Sequence, residues 1–403
     1  MIQIKPFIQF KSNCPYCDSQ LTAQGILWAG VHVCADAYCT KCNTNIIGDL
    51  EIGHAITHPY LIDLKGHHFF REKDLLGGES SDIWLGKPLL ESLQNPNHQS
   101  IQINEEIFKS YKQVVILNCI DYLYGHSLLK LLNADTFLRQ NPNTGLVVVV
   151  QKFLRWMVPE GCTEVWTVDI PLRQGRSYYT QLNRSILEKM ERFDEVYLHS
   201  AHSHPKEFDI TQYTRVPKHN FKDDDFRITF IWREDRLWLN DFLFRVLRKI
   251  GMTRISLYIQ NWKIKRLLAG IRKELPMAKF TVAGLGIKTK FPDWIDDVRV
   301  EKFNEELERN TCKIYSQSRL VVGVHGSNML LPSAHAGMTL DIMPNDRSGN
   351  ICQDIAFQET DPRLATFRYR FPPIDIKIPQ LVKMATSMVN KYNEFVINMM
   401  YTP

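Results

Sequence analysis

Between Ser318 and Gly337 the chain runs a short β-branched strand, 320–324, into a glycine at 326 and on into helix-forming residues. Few arrangements suit such a run. A strand apolar along its whole length is filled on both faces, as in a parallel sheet, and Gly326 lets the backbone turn sharply at its end. Free N–H groups at the start of the next helix would then face an anion such as phosphate. Ser327 and Asn328 are both good N-cap residues, and each can hydrogen-bond a ligand. Any strand, glycine turn and helix in an α/β protein has part of this pattern, so its surroundings decide what it means.

Those surroundings alternate short apolar strands with helical stretches. Strands are expected over 113–119, 145–150, 164–169 and 195–199, with helices over 127–134 and 178–191. A polar stretch at 217–225 reads as a linker. Beyond it, strands are expected over 227–232, 254–259, 279–283, 298–301, 320–324 and 339–342, and helices over 241–250, 263–275, 305–316 and 379–398. This rhythm predicts an α/β protein with two Rossmann-like doubly wound halves. The expected division is a zinc ribbon at 1–53, a connector or lid at 54–104, α/β domains at 105–220 and 221–376, and a carboxyl-terminal helix crossing back at 377–403. A chain of 403 residues, 44% hydrophobic and 23% charged, can bury cores of that number.

The ribbon rests on Cys14-x-x-Cys17 and Cys39-x-x-Cys42, two knuckles that each present two thiolates to one tetrahedral Zn²⁺. Four cysteines close the coordination sphere, so this zinc is expected to organise structure and to take no part in chemistry. A redox dithiol is the competing reading, but such motifs carry one pair in a βαβ setting and this chain has two. Cys34 either replaces Cys39 or packs as a small hydrophobe, and packing is the expectation.

Nine cysteines, four of them in these pairs, fit a reducing compartment better than a disulfide framework. The first residues lack the apolar run of a signal peptide, and no window is long and apolar enough to span a membrane, so a cytoplasmic location is expected. The net charge of +5 is mild, and with Lys and Arg read as scattered among acids it does not indicate nucleic-acid binding.

The Gly-Val-His325-Gly326-Ser327-Asn328 segment resembles the Gly-x-His-Gly-x-x element in the nucleotide-binding half of GT-B glycosyltransferases, particularly family 61, over about residues 225–375. The resemblance implies a GT-B architecture in which this segment holds a donor diphosphate, with a glycan or protein as acceptor. It departs from family 61 in lacking the Gly-Ala-Gly form of the turn, and no secretory anchor is expected. In the metal-independent, inverting transfer this implies, the diphosphate needs a positive or N–H-rich cradle and the acceptor hydroxyl needs a base. Arg233 and Arg236 lie at the end of the first strand of the second half, and either a phosphate clamp or a surface ion pair with Glu234 or Asp235 suits each of them. His325 contacts phosphate or packs beneath the turn, and Asp341 binds ribose or caps a loop. For the base, Asp121 and His126 follow the first strand of the first half, and Asp169 ends a later one. His199 and His202 lie in a loop better suited to a polar site than to metal. The main competitor to glycosyl transfer is a non-catalytic nucleotide-binding or sensor protein with a ribbon for interactions, and a pyruvyl or other phosphate-cleaving transferase is a further enzymatic alternative.

Overall fold

The computed structural model describes every residue except 73–78, 224, 241–244, 248, 250, 288, 352–355, 357–358 and 401–403. The chain forms two units, Met1–Tyr213 and Thr214–Pro403. β1 (Ile2–Lys5) pairs antiparallel with the later strand Glu195–Leu198. An antiparallel meander follows, formed in chain order by β2 (Thr22–Ala29), β3 (His32–Cys39), β4 (Thr44–Asp49), β5 (Tyr60–Asp63) and β6 (His68–Arg71). Its pairing therefore continues past residue 53, through β5 and β6.

Gly30, with φ 65°, makes the tight turn between β2 and β3. A side chain there would run into the Gly175 carbonyl. The close approach is used: Val31 N–H donates to Gly175 O (2.8 Å) and Asn118 Nδ2 donates to Gly30 O (2.9 Å). The hairpin is thus fastened to the α/β part of its own unit.

That part is a six-stranded sheet completed by β7 (Ile103–Ile107), β8 (Gln113–Asn118), β9 (Gly145–Gln151), β10 (Glu164–Val168) and β11 (Glu195–Leu198), in the order β1-β11-β8-β9-β10-β7. The four central strands are parallel and both edges antiparallel. β9 is buried at every residue, as an apolar strand covered on both faces must be. Because β8 lies between β9 and β11, the strand order reverses at β8. Residues beyond the carboxyl ends of β8 and β11 face the place where open α/β sheets take ligands.

The second unit contains β12 (Arg227–Arg233), β13 (Lys279–Leu285), β14 (Asp296–Asp297), β15 (Ser318–Val324), β16 (Met338–Ile342) and β17 (Tyr369–Arg370). All are parallel, in the order β14-β13-β12-β15-β16-β17. Counted from β12 this is 3-2-1-4-5-6, the dinucleotide-fold order, with its switch point between β12 and β15. The expected α/β class with two sheet-cored halves is therefore what the chain forms.

Two expectations for elements need revision. The strand expected over 254–259 is instead the first part of one helix, Thr253–Glu274. Ile255, Leu257 and Ile259 alternate as in a strand, but Leu257, Ile264, Leu268 and Ile271 share one helical face and are buried together, and that longer periodicity wins. The strand over 298–301 is reduced to β14 and an isolated bridge between Leu285 and Val300. The helix over 241–250 lies largely outside the described residues. The carboxyl-terminal helix, Ile378–Met400, buries Leu381, Ala385, Met388 and Val389 in the core of the second unit. No helix of the described residues is long and apolar enough to cross a membrane.

Candidate functional site

Three groups of polar side chains stand out. The first is Cys14, Cys17, Cys39 and Cys42, whose sulfurs lie within 4.8 Å of one another. The Cys14–Cys42 and Cys17–Cys39 separations are 3.5 and 3.4 Å. Each Cys-x-x-Cys loop closes in the same way: Asp18 N–H donates to Cys14 O and Asn43 N–H to Cys39 O, both at 2.9 Å. Asp18 and Asn43 each take positive φ, 58° and 57°, a conformation Asp and Asn tolerate. Two matching knuckles converging on one point are the donor set of a structural zinc, and the four cysteines fit that ion. Cys34 stands apart, fully buried, with its thiol directed at Asp49 Oδ1 (3.3 Å).

The second group gathers at the switch point of the first sheet. Asp121, just beyond β8, is fully buried. Its Oδ1 accepts the N–H groups of Tyr122 (2.8 Å) and Leu123 (3.1 Å). Its Oδ2 receives Lys130 Nζ at 2.8 Å and His54 Nε2 at 3.0 Å. His126 and Lys130 lie four residues apart on the helix Tyr124–Leu131, which places them on one face, and His126 Nδ1 is 3.8 Å from Asp121 Oδ1. Lys130, 1% exposed, also donates to Ile120 O (3.1 Å).

Burial alone would push the Asp121 carboxyl up, but the charges of Lys130 and His54 overcome it and hold the group well below the usual carboxylate range. For His126, burial dominates over the attraction of Asp121 and lowers the imidazole to about 4. Burial likewise lowers His54. His54, Asp121 and His126 have the spacing of a metal triad. Their carboxylate, however, is already neutralised by Lys130 and engaged at both oxygens, so the donor set is that of a hydrogen-bonded ion pair. What it offers chemically is a neutral, partly exposed His126 ring beside a fixed negative charge, an arrangement able to accept a proton.

The third group lies at the switch point of the second sheet. His325 follows β15 and Asp341 lies on the adjacent β16, so register brings them together: His325 Nδ1 is 2.7 Å from Asp341 Oδ2. Tyr369, from β17, donates its hydroxyl to the same oxygen (3.0 Å). All three are buried, and Asp341 Oδ1 has no hydrogen-bond partner among the described residues. Burial raises the Asp341 carboxyl, opposed by His325 and Tyr369.

Gly326 has φ 152°, and a Cβ there would lie 2.9 Å from Asn328 Oδ1 and 3.3 Å from Arg236 Nε, so glycine is what lets the Arg236 guanidinium sit against the turn. The turn continues as a 3₁₀ segment, Ser327–Met329, before a short helix, Leu330–His335. Ser327 and Asn328 thus lie inside the first turn and do not cap it; Asn328 Nδ2 donates back to Val324 O (3.2 Å). Arg233 makes a two-pronged pair with Asp235 (2.8 and 2.9 Å), the surface ion pair weighed against a phosphate role.

The remaining candidates make other contacts. Asp169, half exposed, pairs with Lys152 at 3.4 Å. His199 follows β11 and accepts the Ala201 N–H at Nδ1 (2.9 Å), and burial lowers its imidazole to about 4. His202 is exposed, and its carbonyl accepts from Asn133 Nδ2 (2.7 Å). Sequence reasoning missed His54, Lys130 and Tyr369. Lys130 left a signal, a lone lysine between leucine pairs; the other two left none, because their partners come from distant strands.

No protein-family model matches the chain, and no curated protein sequence matches it. Among solved structures it is similar to the glycosyltransferase SnogD from Streptomyces nogalater, with 11% identity over 69% of this chain and 80% of that one and a TM-score of 0.23. It is also similar to a GtfA/B complex, with 9% identity over 97% of this chain and 68% of that one and a TM-score of 0.24. Likeness at that level defines neither fold nor activity, and the fold description stands on the sheet orders above.

Proposed function

We propose that the protein is a glycosyltransferase that moves a sugar from a nucleotide-sugar donor to a hydroxyl acceptor without a catalytic metal. The observation that carries this reading is the turn at the β12/β15 switch point, where Gly326 leaves room for the Arg236 guanidinium and the His325–Asp341 pair lies beneath. A departing diphosphate is favoured by a guanidinium, which stays charged and can bond two oxygens at once. The buried aspartate fixes His325 with Nδ1 as the donor, leaving the other ring nitrogen the acceptor in the neutral form. Arg236 is the residue to which we assign the diphosphate, ahead of Arg233.

In the first unit, we assign acceptor-side proton transfer to His126, with Asp121, Lys130 and His54 holding its surroundings. The zinc group serves structure and is outside the chemistry. The deciding experiment is thermal stabilisation by UDP, GDP, ADP, CMP and TDP derivatives, since a ligand at 100 times its Kd stabilises by about 2.7 kcal/mol. Stabilisation by one nucleotide, followed by transfer from its sugar conjugate, is the expected result. Binding without transfer to any acceptor would favour a nucleotide sensor; binding of no nucleotide would remove both readings.

A further inference from the structure

The helix Thr253–Glu274 buries Leu257, Ile264, Leu268 and Ile271 against the second sheet. Its opposite face is apolar where solvent should favour polar residues. Ile255, Tyr258 and Trp262, at i, i+3 and i+7, are 41, 65 and 52% exposed, and Met252 just before the helix is 47% exposed. Ile255, Tyr258 and Trp262 therefore share one helical face. Beside them lie exposed Arg254, Lys265 and Arg266, the last with its guanidinium 5.1 Å from the Trp262 ring centre. From 245 to 273 the sequence holds Lys and Arg but no Asp or Glu. The scatter of basic residues among acids that the whole chain shows does not extend to this segment.

We propose that this face docks on the surface of an anionic lipid bilayer. The inference is independent of the glycosyltransferase reading. An aliphatic, tyrosine and tryptophan stripe flanked by cations is the composition that lies in a membrane interface: the rings and aliphatic chains enter the headgroup boundary, and the cations meet lipid phosphates and carboxylates. A second copy of the chain fits poorly, since pairing two such faces would set like charges against each other. A nucleic acid would use the cations and rings but gain little from Ile255 and Met252, because its backbone and bases reward charge and stacking. The absence of acids over the whole stretch supplies the charge complementarity that selects an anionic surface over a neutral one.

The test is co-sedimentation of the full chain with phosphatidylcholine vesicles with and without phosphatidylserine, at about 0.1 M and about 1 M salt. Binding is expected only with phosphatidylserine and largely lost at the higher salt. Arg254→Glu with Lys265→Glu should weaken partitioning by at least about fivefold for each basic residue lost. Ile255→Ser with Trp262→Ser should weaken it as well, and because these positions are exposed, unchanged thermal melting will show that both variants are folded. No binding to anionic vesicles overturns the proposal. So does binding that survives the Ile255→Ser, Trp262→Ser change, or retention on single-stranded RNA with none on vesicles.

Discussion

His54 Nε2 lies 3.0 Å from Asp121 Oδ2, joining the β4–β5 connection of the cysteine-bearing meander to the switch point of the first α/β sheet. The adjacent Gly53 N–H donates to Ser200 O at 2.7 Å, so backbone and side chain together anchor this corner. The meander and the α/β sheet of the first unit therefore share a polar core. Its central charge balance lies between Asp121 and Lys130, both essentially without solvent.

That burial predicts an asymmetric response to substitution. Asp121→Asn leaves the Lys130 ammonium without its counter-charge and should cost about 3–5 kcal/mol, measured by urea denaturation. Adding Lys130→Met to it should recover much of the loss, because the cost lies in the unpaired charge. Wild-type stability in the single variant would show that the pair is not a buried ion pair in solution.

Zinc should be present at one ion per chain and bound through Cys14, Cys17, Cys39 and Cys42. Metal analysis and chelation with melting curves measure this. Cys39→Ser with Cys42→Ser should abolish binding and lower the melting temperature, whereas Cys34→Ala should keep the metal, since its thiol faces Asp49. Zinc retained at full stoichiometry in the double variant would rule out this ligand set.

Acid should destabilise the protein between about pH 6.5 and 4. His126, His199 and His219 are all lowered to about 4 by burial, against an unfolded value of about 6.5. Below that value the unfolded chain takes up protons that the folded chain does not, so stability is full above pH 6.5 and falls as pH drops through the folded values. Melting temperature followed against pH should fall in that window, and His199→Asn should make the fall shallower. A flat profile down to pH 4 would contradict the burial of these rings.

Much of the fold was legible because burial on both faces leaves a plain mark. β9, β12 and β15 are runs of apolar, largely β-branched residues between turn signals, and the paired cysteines and Gly326 impose local geometry wherever they occur. The strand expected over 254–259 failed because a helix with an exposed apolar face mimics alternation over six residues. The His54–Asp121 contact spans 67 positions and exists only once the meander has docked, so no local pattern announces it. Position after strands made Asp121, His126, His325 and Asp341 candidates; what the sequence did not carry was which of them touch.

Nucleotide binding should depend more on Arg236 than on Arg233. Arg236→Ala removes the guanidinium that lies against the glycine turn. Gly326→Val should also weaken binding, since its Cβ would press on Asn328 and Arg236 and hold an unfavourable φ. Nucleotide-induced thermal shifts compare the three. Equal loss in Arg233→Ala and none in Arg236→Ala would move the diphosphate to the other arginine.

The proton-transfer assignment separates by comparing binding with turnover. A base acts mainly in the transition state, so His126→Ala should keep donor-induced stabilisation yet lose about 10²- to 10⁴-fold in transfer rate. Asp169→Asn should keep both donor-induced stabilisation and transfer rate, because Asp169 is half exposed and paired with Lys152 on the surface. Asp121→Asn is expected to lose turnover together with stability, which marks it as the residue that holds His126's surroundings. Rescue distinguishes the two roles: Asp121→Asn combined with Lys130→Met should regain stability without regaining full turnover, since the charge beside His126 stays absent. Full transfer by His126→Ala with an authentic donor and acceptor would shift the search to the loop that begins at His199, the other segment leaving this switch point.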